Sequence, residues 1–473
     1  MLFNSLQFLG FFPGICLFYW FLNSILPQKH RLIVCNMLLL VGSYYFYMCW
    51  QPKYALLLLL STSVTYCSAI LIENSVSNRA KKIWLTSAII LNLAILFFYK
   101  YYAFAADSIT ALLSSMGIAI NIPGFDILLP VGISFYIFQA LGYSIDVYRG
   151  NVRAERNFFT YALFVSFFPQ LVAGPIERST NLLPQFKEYH KFDYDFAMSG
   201  FKLMLWGYFI KLCIADRAAL YVDPVFNNIN SHDGCSTLVA SILFTIQIYG
   251  DFAGYTFIAI GCGRILGFRL NDNFRSPYFA VSITDFWRRW HISLSTWLRD
   301  YVYFPLGGSR TTKAKTYRNL LITFGISGLW HGANWTFVLW GMLHGVAMCV
   351  ERALGWNKKT FHSWNKLLHV FVTLFLVNLA WVLFRANTVS DAIVICGRMF
   401  SSATLHMGMS IKMFVMLTCC ISILVAKEVN EEYGLVKLRA GTFVGNYLLP
   451  MAMLLLIGIF GVFDGGQFIY FQF

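Results

Sequence analysis

Read from its first residue, the chain is a succession of long apolar runs separated by short polar connections. Runs near 6–26, 32–49, 54–73, 83–102 and 127–147 are continuously apolar instead of alternating with a period of two. Each spans about 17–25 residues, enough to cross roughly 30 Å of hydrocarbon as a helix, and the lack of alternation argues against spanning strands. Residues 158–175 are apolar but short and carry Pro169 and Pro175. Backbone groups freed by proline must find partners inside protein, so this stretch is expected to form a re-entrant or interfacial hairpin. Further crossings are expected at 196–215, 237–263, 367–385, 412–426 and 446–463. Residues 319–350 read either as one long bent helix or as a hairpin with its apex at 332–334. The pattern predicts an all-α polytopic membrane protein with about 11–12 crossings, forming one integral membrane domain over residues 1–473.

Composition supports that class: 58% of the 473 residues are hydrophobic, 18% aromatic and 12% charged. A formal charge of +14 could suggest nucleic acid. The basic residues lie between the apolar runs, where membrane orientation explains them better, and no nucleic-acid partner is expected. The basic connections "PQKHR" (27–31) and "SNRAKK" (77–82) are expected to be cytoplasmic, which puts the N-terminus outside. The Lys- and Arg-free 103–126 loop is then extracytoplasmic. With no basic region before it and no small-residue cleavage site after it, the run at 6–26 reads as a retained span instead of a signal peptide. Eleven scattered cysteines form neither a disulfide framework nor a CxxC site.

Chemistry concentrates in two stretches. "SITDFWRRWHISLSTWLRDYVYFPLGGSR" (282–310) begins with Ser282 and Asp285 in capping-box spacing. Trp287, Trp290, His291, Leu294, Trp297 and Leu298 then fall on one stripe of an amphipathic helix, opposite Arg288, Arg289, Thr296 and Arg299. In "GLWHGANWTFVLWGMLHG" (328–345), His331 sits beside Trp330, Gly328, Gly332 and Ala333. An ionisable residue at membrane depth is by default functional, and the small neighbours are expected to let a substrate approach the ring. On an unbroken helix His344 lies about 220° round from His331, which favours a core role for it. Asp251 in "IQIYGDFAGY" is a further buried candidate, expected to pair with a histidine or arginine. No HxxxH or Cys/His cluster, GxSxG elbow or phosphate-cradling Gly-rich loop is present, so neither a metal nor a bound cofactor is expected.

At these residues the chain resembles the membrane-bound O-acyltransferase (MBOAT) family, most closely its bacterial branch that O-acetylates polysaccharides such as alginate and peptidoglycan. The matching stretches are "VAGPIER" (172–178), "YGDFAGYTFIAIGCGRILGF" (249–268), "NFRSPYFAVSITDFWRRWHISLSTWLRDYVYFPLGGSR" (273–310), "GLWHGANWTFVLWGMLHG" (328–345) and "FIYFQF" (468–473). The resemblance implies an MBOAT fold, with core motifs at 172–345, peripheral spans at 1–147 and 367–463, and funnels from both sides meeting in a central catalytic tunnel. It places the family's catalytic histidine on His331 and its second histidine on His291. Trp330, Asn334 and Asp251 become candidate substrate contacts, and Arg288, Arg289 and Arg299 candidate contacts for donor phosphates. The implied reaction moves an acetyl group from a cytoplasmic thioester, acetyl-CoA, across the inner (cytoplasmic) membrane to a polysaccharide hydroxyl, directly or through an extracytoplasmic SGNH-type acetyltransferase partner. The alternatives are D-alanyl transfer from an acyl carrier protein thioester to teichoic acid, a proton-coupled transporter using His331 and Asp251, and a scaffold for an external acetyltransferase.

Overall fold

The computed structural model describes residues 1–120, 122–125, 129–172, 174–356, 364–401, 407–436, 442–463 and 469. The described residues are mostly helical, with no strand among them. In chain order the helices are α1 (Leu6–Ile25), α2 (Gln28–Met48), α3 (Tyr54–Asn74), α4 (Asn78–Leu96), α5 (Tyr102–Ser115), α6 (Ile133–Tyr148), α7 (Phe158–Ser166), α8 (Phe168–Leu171), α9 (Ser179–Gln185), α10 (Tyr194–Tyr208), α11 (Asp216–Asn227), α12 (Gly234–Ile265), α13 (Ile283–Arg289), α14 (Ile292–Leu298), α15 (Lys313–His331), α16 (Trp335–Ala353), α17 (Trp364–Arg385), α18 (Val389–Met399), α19 (Ile411–Tyr433) and α20 (Leu449–Phe460). They fall into two compact units, residues 1–200 with 262–271, and residues 201–261 with 272–473. Eight helices among the described residues are long and apolar enough to cross a membrane. α6, α15, α16 and the final helix, Val444–Phe460, which the hydrophobic pattern counted as crossings, fall short of that measure. α6 has only 16 residues, and α15 opens on Lys313, Lys315 and Arg318.

In the first unit, α3 packs against α4 and α6, and α2 against α1, α7 and α8. The stretch expected to be re-entrant is the two-helix break α7–α8, with Phe164, Val165, Phe167 and Phe168 fully buried. Its freed backbone groups are satisfied by side chains, as a non-spanning segment in an apolar surrounding requires. The Phe164 carbonyl accepts from Gln139 Nε2 at 2.6 Å and Gln170 Nε2 at 2.8 Å, while Phe168 N–H donates to Ser43 Oγ at 3.0 Å. Glu177 closes the "GPIER" turn by accepting from the Asn271 backbone at 2.6 Å and from Asn181 Nδ2 at 2.8 Å.

Two expected loop boundaries shift. α4 runs through a π-helical turn, Phe97–Tyr101, into α5, so the segment expected to be a loop from 103 is helical to Ser115. α10 likewise continues through a π-helical turn, Phe209–Ala215, into α11, so the crossing expected to end at 215 stays helical to Asn227. The first extension contains neither glycine nor proline to end the helix earlier. Pro224 is tolerated in α11, near its C-terminal end.

The choice left open at 319–350 resolves as a hairpin. α15 ends at His331, Gly332 is extended, and Asn334 caps α16 by accepting from Thr336 N–H at 3.0 Å. The two helices cross closely because their contact is glycine on backbone. A Cβ on Gly328 would lie 2.3 Å from the Phe337 carbonyl, and one on Gly341 2.2 Å from the Phe324 carbonyl. Small residues at such a crossing let backbones approach where apolar lipid supplies little drive for association.

Candidate active site

All the geometry of interest lies in the second unit. The predicted cap is present: Ser282 Oγ accepts from Asp285 N–H at 3.0 Å, and Glu351 of α16 takes the N–H groups of Ile283 and Thr284. The predicted continuous stripe 287–298 is, however, broken. α13 stops at Arg289, and His291 adopts a left-handed backbone with φ +44° before α14 begins. For a non-glycine residue that conformation costs about 1–2 kcal/mol. Asn273 holds it in place. Its Oδ1 accepts from Ser293 N–H at 3.1 Å and from Ser293 Oγ at 2.9 Å, and lies 3.1 Å from His291 Nδ1; its carbonyl accepts from Ile292 N–H at 3.0 Å. Because a backbone N–H can only donate, Asn273 Oδ1 is fixed as an acceptor. His291 Nδ1 therefore carries the proton, and in the neutral ring Nε2 is the basic nitrogen. Burial lowers the His291 pKa from the ordinary 6.5 to about 3, so the ring is neutral around pH 7.

The break brings His291 to His331. Their ring centroids lie 6.3 Å apart, with Trp330 against both, at 5.6 Å from His291 and 4.9 Å from His331. Trp340 at 4.8 Å and Phe384 at 5.4 Å complete an aromatic enclosure around His331, which is 2% exposed. The small residues expected to admit substrate do something else. A Cβ on Gly332 would meet the Phe337 ring at 2.2 Å, so Gly332, like Gly328, makes room for α16.

A cavity of about 450 Å³ opens between α13, α14, α15 and α16. Arg288, Arg299 and Arg352 supply its charge, and Trp287, Leu320, Phe324 and Met348 its apolar wall. Along α15 the lining runs Leu320, Thr323, Phe324, Ser327. His331, four positions past Ser327, continues that face one turn deeper without itself lining the cavity. A cleft of this size, mostly apolar with a few polar groups, has the character of a small-molecule site.

The other expected site residues divide. Arg288 and Arg299 line the cavity, Arg299 also pairing with Asp300 at 2.8 Å. Arg289 does not line it: its guanidinium is held by Asp285 at 3.1 Å and Glu432 at 2.7 Å. Asn334 serves the hairpin, capping α16 and donating to the Asn387 carbonyl at 3.1 Å. Among the described residues Asp251 pairs with neither a histidine nor an arginine, contrary to expectation. It meets Lys211 Nζ at 2.5 Å and accepts from Ile469 N–H at 2.6 Å, while Lys211 also holds Asp216 at 2.7 Å. His344 is packed among Trp287, Trp340 and Phe286. Of "FIYFQF" (468–473), only Ile469 is within the described residues.

Sequence reasoning missed Asn273 and Arg352. Asn273 lies eighteen positions before the histidine it orients, and its one signal is a polar residue in an otherwise matching motif. Arg352 sits at the end of an apolar run, where an orienting cation is the usual reading.

A buried histidine pair thus stands beside an arginine-lined cleft in a helical membrane protein. The profile of the MBOAT, membrane-bound O-acyltransferase family matches residues 149–363. The chain belongs to this family and is an acyltransferase. It is 42% identical over 402 residues to the probable alginate O-acetylase AlgI of Pseudomonas syringae pv. tomato, covering 85% of this chain and 75% of the relative. The peptidoglycan O-acetyltransferase of Helicobacter pylori is 36% identical over 421 residues, 83% of this chain and 78% of that one. The teichoic acid D-alanyltransferase of Bacillus subtilis is 28% identical over 272 residues, 54% of this chain and 69% of the relative.

Proposed function

We propose that this protein transfers an acetyl group from acetyl-CoA, entering from the cytoplasm, to a hydroxyl of an extracytoplasmic polysaccharide, directly or through an SGNH-type partner, in the inner (cytoplasmic) membrane. One observation carries the reading: the arginine-lined cavity runs along α15 toward His331, the last residue of that helix. Burying the phosphates of the donor would cost many kcal/mol, so only the acetyl group crosses. Arg288, Arg299 and Arg352 hold the phosphates at the cavity. The acceptor hydroxyl gives its proton to His331, its oxygen bonds to the thioester carbon, the C–S bond breaks, and the thiolate leaves with the proton from His331. General base catalysis of this kind contributes typically about 10²- to 10⁴-fold. The imidazolium formed in passing sits at the carbonyl end of a 19-residue helix, where positive charge is favoured. His291, its proton fixed on Nδ1, presents Nε2 as an acceptor to a neighbouring hydroxyl of the acceptor and so helps to orient it. The names of the acetylating relatives support acetyl over D-alanyl as the group moved.

The test supplies radiolabelled acetyl-CoA to the purified protein and to His331→Ala, with and without an extracytoplasmic acetyltransferase partner, and with a D-alanylated carrier protein as rival donor. Label should reach the acceptor, with release of CoA, only with the wild type. Equal transfer by His331→Ala would remove the base from the mechanism and favour a scaffold. Transfer from the carrier protein alone would replace the donor. Ion or substrate uptake with no CoA release would favour a transporter.

A further inference from the structure

The cavity is lined by six residues with side-chain hydroxyls, and four of these hydroxyls are engaged within the protein. Thr284 Oγ1 donates to Glu351 at 2.8 Å, Ser295 Oγ to the Trp290 carbonyl at 3.3 Å, Thr296 Oγ1 to the Ser293 carbonyl at 3.0 Å, and Thr323 Oγ1 to the Asn319 carbonyl at 2.7 Å. Two remain, Ser327 and Tyr303: Ser327 is 1% exposed, and neither its Oγ nor Tyr303 Oη has a hydrogen-bond partner among the described residues. A serine inside a helix ordinarily donates to the carbonyl four residues back, as Thr323 does one turn earlier. Stranding a hydroxyl in a buried site is unfavourable, so an unengaged one at a ligand cleft points to a group that the ligand brings. Tyr303 belongs to the π-helical turn after α14, whereas Ser327 is on α15, the helix that carries His331; Thr336 Oγ1 is also without a partner among the described residues but does not line this cavity.

Position narrows what that group is. Ser327 is the cavity-lining residue closest along α15 to His331, four residues away on the same helix face, about 6 Å along the axis. The arginines of the cavity hold the anionic end of the donor, so the far end of an extended thioester comes to lie between Ser327 and His331. On the reading given above, we infer that Ser327 donates its hydroxyl hydrogen bond to the carbonyl oxygen of the donor thioester and stabilises the negative charge that oxygen acquires as the acceptor attacks. Ser327 is then a catalytic residue that neither gains nor loses a proton overall. The oxygen becomes an oxyanion when the C–O bond forms and returns to a carbonyl when the C–S bond breaks, while the hydrogen stays on Ser327. A donor aimed at developing charge in a water-poor site acts mainly on the transition state.

The experiment compares wild type, Ser327→Ala and Ser327→Thr in CoA release from acetyl-CoA with acceptor present, alongside thermal unfolding of each purified protein. Ser327→Ala should lose on the order of 10²- to 10³-fold in kcat, with KM for acetyl-CoA changed less than threefold. Ser327→Thr, which keeps a hydroxyl, should recover at least a tenth of wild-type kcat. Because the alanine variant removes an unengaged hydroxyl, its unfolding midpoint should equal or exceed that of wild type. A Ser327→Ala kcat within threefold of wild type, or a clearly lower midpoint, would overturn the assignment while leaving acetyl transfer standing. A wild type that releases no CoA from acetyl-CoA would instead bring down the donor reading and this role with it.

Discussion

Replacing Asn273 by alanine tests the turn on which the second histidine depends. Asn273 is 1% exposed, His291 fully buried and Ser293 5% exposed, so water does not readily take the place of a lost acceptor. The substitution removes one oxygen that serves the Ser293 N–H, the Ser293 hydroxyl and the His291 Nδ1–H. The hydroxyl can turn elsewhere; the other two donors cannot. At about 1–3 kcal/mol for each buried donor deprived of its acceptor, the loss is about 3 kcal/mol before the left-handed backbone at His291 is considered. In a domain of 150–250 residues that lowers an unfolding midpoint on the order of 6–12 °C. Activity should fall further than stability implies, because nothing then keeps the His291 proton on Nδ1, and half of a freely chosen tautomer population presents the wrong nitrogen. Thermal unfolding in detergent reads the first effect, and CoA release well below the midpoint reads the second. Asn273→Asp, which keeps the acceptor oxygen, should retain more of both. An Asn273→Ala protein that melts within a degree of wild type would refute the claim that this side chain holds the turn.

Other expectations follow from the same geometry. Lys211→Met should destabilise by about 3–5 kcal/mol, since it leaves Asp216 and Asp251 as uncompensated buried carboxylates, and adding Asp251→Asn should restore part of the loss in denaturation measurements. Gly341→Ala should lower both the unfolding midpoint and acyl transfer, because the new Cβ meets the Phe324 carbonyl at 2.2 Å and the hairpin that carries His331 must open. His291 should make stability fall with acid. Its folded pKa of about 3 lies below the ordinary 6.5, so the unfolded chain binds the extra proton; its contribution is intact above pH 6.5 and is lost toward pH 3 at about 1.4 kcal/mol per unit. His291→Gln should flatten that slope in unfolding free energies measured between pH 4 and 6.5.

Hydrophobic run length located the spanning helices because burial in lipid imposes its own period on the sequence. Helix ends were harder to place where a helix continued through a π-helical turn, as at Phe97–Tyr101 and Phe209–Ala215, since such a turn needs neither glycine nor proline. The break at His291 was invisible for a related reason. Trp287, Trp290, Leu294 and Trp297 keep helical spacing across it, while the residue that enforces it, Asn273, lies in a preceding loop. His331 was legible because an ionisable group in an apolar run stands out by composition alone. The partner of Asp251 was not: Lys211 lies forty residues upstream, and pairing across that distance is a property of the packed chain. The arginines show the same limit. Three on one short stretch looked equivalent, yet the turn of α13 sends Arg288 to the cavity and Arg289 to Glu432.

The left-handed backbone at residue 291 also narrows what the position can become. Glycine would relax there but offers no nitrogen, and β-branched side chains pack badly against a positive φ. Among the common residues, asparagine and histidine alone both tolerate that conformation and carry a nitrogen on a short side chain. Drift at this site is therefore confined to an exchange of ring for amide, with local geometry acting as the filter before any demand of chemistry is felt.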